Sequence, residues 1–506
     1  MKVIQFVRLF LCLLMVFTGV NGNAEDTEMK TDVVVVGAGS AGLSAAVSAA
    51  AAGAQVIVLE KMPFAGGSSN YAEGLFGAET NQQRLKAIHL SKDEAFKRAM
   101  EFNHWRANAA LVRQTIDKSA ETLEWLATMG IAFDPVNISP TEAPSWHLVK
   151  DWGGAHHGAA LIAALSAKAK ELGVKILYQT PGKELILDNG TVRGIKAATA
   201  KGEVIQIHSK AVVLATGGFP NSKEMINKWT RFDAEKVFPT VPIKKTGDGI
   251  NMALAAGADS EGWGLMLHPG THGEGIKPLG PLYAVTWQPL LWVNKYGDRF
   301  ANESIVTSFA LAGNAIDRQR DSFAWAIWDE ETTRYLMEKG IDNGLGVLVP
   351  IGTQLKGLPD EIKAAVAKKS TSVATGATIE ELAQKIGIPP EKLKSTVDAY
   401  NTFKETNHDD QFGKDAKDIQ PVKNATFYAV KLFPYFFVSL GGAKTSLNME
   451  VIDKNDRPIP GLYAAGSDVG GQYGDTYTLW TSGFSFQFAA SSGRIAGNHS
   501  AIYAKK

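Results

Sequence analysis

Residues 31–61 read TDVVVVGAGSAGLSAAVSAAAAGAQVIVLEK, and no other stretch restricts the fold so tightly. Val33–Val36 is an unbroken apolar run, as a strand buried on both faces of a parallel sheet requires. Gly37-Ala38-Gly39-Ser40-Ala41-Gly42 then forms a G-x-G-x-x-G turn. The first two glycines allow a tight turn and close approach to a pyrophosphate, and Gly42 lets the following helix pack on the strand. Ala41 to about Ala52 is alanine-rich and predicts a helix whose N-terminal dipole faces the phosphates. Gln55–Leu59 predicts a second strand, and Glu60 follows Gly37 by 23 residues, the spacing of an acid that holds ribose hydroxyls. The glycine turn alone would be weak evidence. Strand, turn, helix, strand and acid together specify a dinucleotide-binding α/β unit, and the acid argues against a 2′-phosphate.

Three later segments favour FAD over NAD. Gly66-Gly67-Ser68-Ser69 is similar to the flavoprotein stretch that meets the pyrophosphate and ring. AVVLATGG at Ala211–Gly218 is a strand ending in a glycine pair, and GLYAAGSD at Gly461–Asp468 has the form of a late strand whose acid approaches the ribityl chain. Between them, residues 174–208 alternate apolar and polar around Asp188-Asn189-Gly190, a hairpin signal. Lys245-Thr246-Gly247-Asp248-Gly249-Ile250 opens a helix through Ala256. In ATIEELAQKIGIPPEKLKSTVDAYN, Thr378 and Glu381 make a capping box, Gly387 ends one helix, and Pro389-Pro390 opens the next. The expected fold is α/β: a Rossmann-like FAD-binding domain at 25–261 and 435–506, with a mixed α+β capping domain at 262–434.

Composition bounds the partners. The 506 residues carry 52 basic and 52 acidic side chains, which gives no electrostatic case for nucleic acid. MKVIQFVRLFLCLLMVFTGVNGNAED has Lys2 and Arg8, then an apolar run from Leu9 to Val20, then small residues at 22–24. That pattern predicts a signal peptide at 1–24 cleaved after Ala24, hence an exported, periplasmic protein without a stable membrane anchor. Cys12 is the only cysteine and would leave with it, excluding disulfides, thiolate catalysis, iron–sulfur ligation and c-type haem attachment. Electrons must then come from outside. His156-His157 could suggest a metal pair, but adjacent residues on an extended segment point apart, and no metal is expected.

VVVVGAGSAGLSAA, KTGDGI, NKYGDRFANE, TIEELAQKIGIPPEKLKSTVDAYN, FGKD at Phe412–Asp415 and GLYAAGSDVGG together resemble the soluble fumarate reductase (flavocytochrome c) flavoproteins. Relatives of that family include urocanate reductases and 3-oxosteroid dehydrogenases. The resemblance implies non-covalent FAD contacted by Gly37, Gly39, Ser40, Ala41, Gly42, Glu60, Lys61, Gly67, Ser68, Ser69, Gly74, Thr216, Gly217, Asp248, Gly466, Asp468 and Ser482. It also implies a cap closing over the substrate and hydride passing between flavin N5 and a carbon–carbon bond.

The departures from that family define the substrate. His268, in His268-Pro269-Gly270, matches the family's carboxylate-binding histidine. The family's proton-donating arginine falls at Thr286, a second arginine at Thr307, a histidine at Val438, and the last arginine within GDTYT. A dianion needs two bidentate guanidiniums, so fumarate is disfavoured. Tyr477 stands where 3-oxosteroid dehydrogenases carry a carbonyl-polarising tyrosine, although Thr478-Leu479-Trp480 replaces their following pattern. A protonated phenol can serve as the acid at neutral pH. Tyr283, Trp287, Tyr473 and Trp480 would supply apolar walls, while Arg299 and Glu303 are expected to hold the cap together. The expectation is a reductase of a small unsaturated carboxylate such as acrylate or methacrylate, with Tyr477, His268, Tyr283 and Thr286 as the catalytic set. A separate periplasmic cytochrome c would supply electrons. A 3-oxosteroid-type dehydrogenase and a flavin-binding electron carrier are the alternatives.

Overall fold

The computed structural model describes residues 27–137, 144–241, 243–346, 349–477 and 479–506. The expected signal peptide, its cleavage point and Cys12 lie outside these residues, as does Thr478. No helix among the described residues is long and apolar enough to cross a membrane.

A six-stranded sheet carries the nucleotide-binding unit, in the order Glu450–Ile452, Pro458–Ala464, Ala211–Leu214, Val33–Val36, Val56–Leu59, Lys175–Leu177. All neighbours are parallel except the first pair. Val33–Val36 pairs on both sides and is wholly buried, which is why its sequence is apolar without alternation. The helix Ser40–Ala51 leaves this strand through the glycine turn and packs against the C-terminal helix Phe484–Ala504.

A second sheet joins Thr27–Lys30, Val204–His208, Thr191–Ala198 and Gly182–Asp188. Its hairpin turns at Asn189 (φ 48°) and Gly190 (φ 78°), the positive angles that the Asp-Asn-Gly sequence anticipates. The region expected to form the cap is built on the 17-residue strand Phe427–Ala443, which pairs with Ala324–Asp329, Val373–Gly376, Phe238–Pro239 and Ser260–Gly270. This strand runs unbroken through the expected boundary at 434/435, and Ser260–Gly270 does the same at 261/262. A two-stranded antiparallel ribbon therefore connects the cap to the nucleotide-binding unit.

The Thr378 hydroxyl accepts from Glu381 N, Gly387 adopts φ 75° after the helix Ile379–Ile386, and Pro390–Thr406 buries Leu393, Val397 and Tyr400. Capping and periodicity locate these elements because both signals are local.

Candidate active site

A cleft opens at the carboxyl ends of the parallel strands, where open α/β sheets place their ligands. Gly37, Gly39, Ser40, Ala41, Glu60, Lys61, Gly67, Ser68, Ser69, Thr216, Gly217, Asp248 and Gly466 all line it. Gly39 is the N-cap of Ser40–Ala51, with no side-chain cap and no acid in the first turn, so the helix end presents its dipole uncompensated. Ser40 N donates to Ser69 Oγ at 3.1 Å, tying the strap at 66–69 across that end. Glu60 accepts from Ala38 N at 2.8 Å and Met62 N at 2.7 Å. Burial raises its pKa, while these N–H groups and Lys61 pull the other way.

The cleft fits FAD on the evidence of Gly39. A Cβ built there meets nothing closer than Gly66 O at 3.6 Å, so the protein itself does not demand glycine. Its φ of −77° suits any residue. What glycine keeps clear is the cleft, where a pyrophosphate must approach the backbone. Gly39→Ala is therefore expected to leave the melting temperature of the flavin-free protein unchanged. FAD affinity should fall about tenfold or more, as read by flavin fluorescence on dilution.

Four expected cofactor contacts do not line the cleft. A Cβ at Gly42 would lie 1.8 Å from Gly37 O, so this glycine serves helix-to-turn packing. Gly74 sits in the strand Gly74–Phe76, where a Cβ would strike His147 O at 2.6 Å. Asp468 stands outside the lining: its carboxylate accepts from Thr216 N, Thr216 Oγ1 and Gly218 N at 2.5–3.0 Å, binding the two late strand ends together. Ser482 is buried outside the lining. Pro181, Gly182, Ile243, Lys244, Lys245 and Ala489 line the cleft without having been singled out. They come from the β-insert, a loop and the last helix, and only Lys245 lies within a recognisable motif.

The catalytic candidates lie in and around one aromatic cluster joining the cap to the FAD domain. Tyr477 is 8% exposed, with its ring centroid 4.7 Å from that of Tyr473. Burial pushes its phenol pKa up, offset in part by the Ser485 backbone and the Tyr473 hydroxyl, so Tyr477 keeps its proton at neutral pH. The adjacent Thr476 hydroxyl accepts from Asn314 Nδ2 of the cap helix Phe309–Asp317 at 3.5 Å. Among the described residues two guanidiniums touch this segment. Arg98 lies 3.5 Å over the Trp480 ring and pairs with Glu94, and Arg106 pairs with Asp475 at 3.1 Å on the surface.

Tyr283 packs edge-on to Tyr435 and Trp287, at 5.4 and 5.5 Å between centroids. Gly270 makes this possible, because a Cβ there would lie 2.5 Å from Tyr435 Cδ2 and 2.7 Å from Tyr283 Oη. The glycine of His268-Pro269-Gly270 thus admits two tyrosines. Among the described residues the Tyr283 and Tyr473 hydroxyls have only loose contacts, Tyr283 with Thr240 and Tyr473 with Tyr477 and Ser485.

The polar atoms of His268 and the Thr286 hydroxyl are engaged within the protein. His268 is fully buried and stacks on Phe437 at 4.0 Å. Its Nδ1 donates to Pro269 O at 2.8 Å, which leaves Nε2 to accept from the Thr240 hydroxyl at 2.6 Å. Burial lowers its pKa to about 3 against the pull of the Pro269 carbonyl, so the ring is neutral. With both nitrogens occupied it orients the aromatic wall. Thr286 Oγ1 donates to Tyr283 O at 2.6 Å within its own helix turn. Thr307 likewise donates back to Ser304 O. Tyr435, Phe437, Phe309 and Thr240 are site neighbours that the sequence did not single out; alternating aromatics in FPYFFV were the available signal.

His156 pairs with Asp151 Oδ2 at 2.8 Å and His157 Nδ1 contacts Val149 O, so the two rings serve different partners.

The model of the family described as FAD binding domain matches residues 32–483. A vinyl phenol reductase of Lactiplantibacillus plantarum is 36% identical over 481 residues, covering 93% of this chain and 96% of that protein. An NADH:acrylate oxidoreductase of Vibrio harveyi is 28% identical across 89% of this chain, which spans 48% of that longer protein. The open conformation of a flavocytochrome c3 fumarate reductase superposes with a TM-score of 0.72 at 29% identity, covering 94% of this chain and 79% of that one.

Proposed function

Because the chain belongs to the FAD binding domain family, we propose that it reduces a carbon–carbon double bond conjugated to an aromatic ring, in a small substrate carrying at most one negative charge. It is an FAD-dependent oxidoreductase acting on CH–CH bonds. Bound FAD, held without a covalent link, supplies the hydride.

The single observation behind the substrate class is the makeup of the site. Tyr477 is a buried, protonated phenol in a cluster of aromatic rings, and the two guanidiniums touching its segment are already engaged. Tyr283, Trp287, Tyr435, Tyr473 and Phe437 offer faces and edges to a planar conjugated system, which favours stacked and edge-on contacts over charge pairing. Tyr477 delivers the proton to the carbon that does not receive hydride, and Tyr473 beside it stabilises the phenolate left behind. The name of the vinyl phenol reductase supports the aryl group.

A second reading is a monocarboxylate of the acrylate type. The buried, loosely held hydroxyls of Tyr283 and Tyr473 favour it, since both could turn to donate to one carboxylate in place of the occupied His268. On either reading the reaction is periplasmic and a separate cytochrome c delivers electrons, because the segment after residue 24 has no cysteine for haem attachment.

Viologen-reduced enzyme offered 4-vinylphenol, cinnamate, acrylate, methacrylate and fumarate under anaerobic conditions tests the proposal. Fastest flavin reoxidation by the aryl substrates is expected. Preference for acrylate or methacrylate would select the second reading, full-speed fumarate reduction would overturn both, and no reoxidation would leave an electron carrier.

A further inference from the structure

Five charged residues line the cofactor cleft: Glu60, Lys61, Lys244, Lys245 and Asp248. Lys61 pairs with Asp248 at 2.8 Å, Glu60 is held by backbone N–H groups, and Lys244 is exposed. Lys245 differs. It is 8% exposed, and among the described residues no carboxylate pairs with it. Its side chain runs past Gly217, where a Cβ would lie 2.9 Å from Lys245 Cδ, and its Nζ donates to Ser68 Oγ at 2.9 Å on a separate loop. The backbone is fixed at both ends of the residue, with Asn221 N donating to Lys245 O at 2.9 Å and Lys245 N donating to Asn221 Oδ1 at 3.3 Å.

We propose that Lys245 is a cationic clamp for the pyrophosphate of FAD, closing from the Gly217 side onto the end of the helix Ser40–Ala51. The inference rests on the FAD assignment and not on the identity of the reducible substrate. Ser68 is the neighbour of Ser69, whose hydroxyl accepts from Ser40 N at that helix end, so the ammonium and the helix dipole converge on one strap. A buried cation with no carboxylate in ion-pair contact is costly, and a doubly charged pyrophosphate would offset that cost on binding. Burial lowers the Lys245 pKa to about 8, with Asp468 raising it and Lys61 lowering it. The protonated form binds the dianion. FAD affinity is therefore expected to be constant below about pH 8 and to fall as pH rises above it.

The test uses holoenzyme diluted until free-flavin fluorescence reports the FAD dissociation constant, with ADP as a competitor that has the pyrophosphate but no flavin ring. Lys245→Met is expected to weaken FAD and ADP alike, by about tenfold or more. Lys245→Arg should keep both within about threefold. The loss of affinity above about pH 8 should vanish in Lys245→Met. Glu60, Lys61, Lys244, Asp248 and Asp468 also face this lysine, and their contributions remain in the variant, so the difference between the two profiles isolates Lys245. Unchanged ADP affinity in Lys245→Met would overturn the proposal, and an accompanying shift in flavin midpoint potential would move the lysine to the ring. Should the variant fail to hold FAD at all, a flat wild-type pH profile would overturn it independently.

Discussion

Tyr477→Phe is expected to lower turnover about 10²-fold or more while leaving flavin reduction by a viologen dye unchanged. Loss of the hydroxyl removes the proton donor but keeps the ring, its 4.7 Å contact with Tyr473 and the burial of the segment. The defect should therefore appear in the flavin reoxidation step alone, read by stopped-flow absorbance with substrate in excess. The pH profile gives a second check. The phenol titrates above its usual value of 10.0 because burial penalises the phenolate. A group acting as an acid loses activity as pH rises through its pKa, so no fall assignable to Tyr477 is expected below about pH 10. His268, neutral above about pH 3, contributes no step in that range. A variant with wild-type reoxidation would remove Tyr477 from proton transfer.

Arg299→Met should destabilise the protein by about 3–5 kcal/mol without altering the flavin spectrum. The Arg299 guanidinium and its partners are almost wholly enclosed. Nε and Nη2 donate to the two oxygens of Glu303 at 3.0 Å, and Nη1 and Nη2 donate to Asp409 at 3.1 and 2.9 Å. Lys414 Nζ lies 3.3 Å from Glu303, and the rings of Tyr400, Phe403 and Phe412 surround the guanidinium. Methionine would fill part of the volume but strand Asp409 without its cation, which costs more than the lost attraction itself. Burial pushes the Asp409 carboxyl up, but Arg299 and the backbone N–H groups of Lys414 and Gln411 outweigh it and hold the pKa at about 2. A depressed carboxyl pKa adds stability above its unfolded value, and that stability is lost as pH falls through the folded one. Acid destabilisation between about pH 4 and pH 2 is therefore expected in the wild type and should be blunted in Arg299→Met. Chemical denaturation at several pH values measures both effects. A change within about 0.5 kcal/mol would show that the cluster does not hold the cap.

Legibility in the sequence followed the range of each interaction. The motif NKYGDRFANE marks Arg299 and Glu303 as a pair four residues apart, but Asp409 lies 110 residues away and only folding brings it to the same guanidinium. His268 shows the same limit. Its residue type and setting suggest a carboxylate ligand, whereas its partner Thr240 is set by the pairing of strands distant in sequence. Asp468 stands at the expected turn, but its hydrogen bonds run to the N–H groups of Thr216 and Gly218, about 250 residues away in the chain.

By itself the sequence determined the nucleotide-binding unit, the hairpin insert and the helices at 379–386 and 390–406. These follow from glycine geometry, side-chain period and residue identity within a few neighbours. Only the tertiary structure decided which side chains are free to act. Hydrogen-bond partners, burial and the resulting pKa shifts arise from segments far apart in the chain, and they turned His268 and Thr286 inward, enclosed Tyr477 with its proton and left Lys245, among the described residues, without an ion-pair contact in the cofactor cleft.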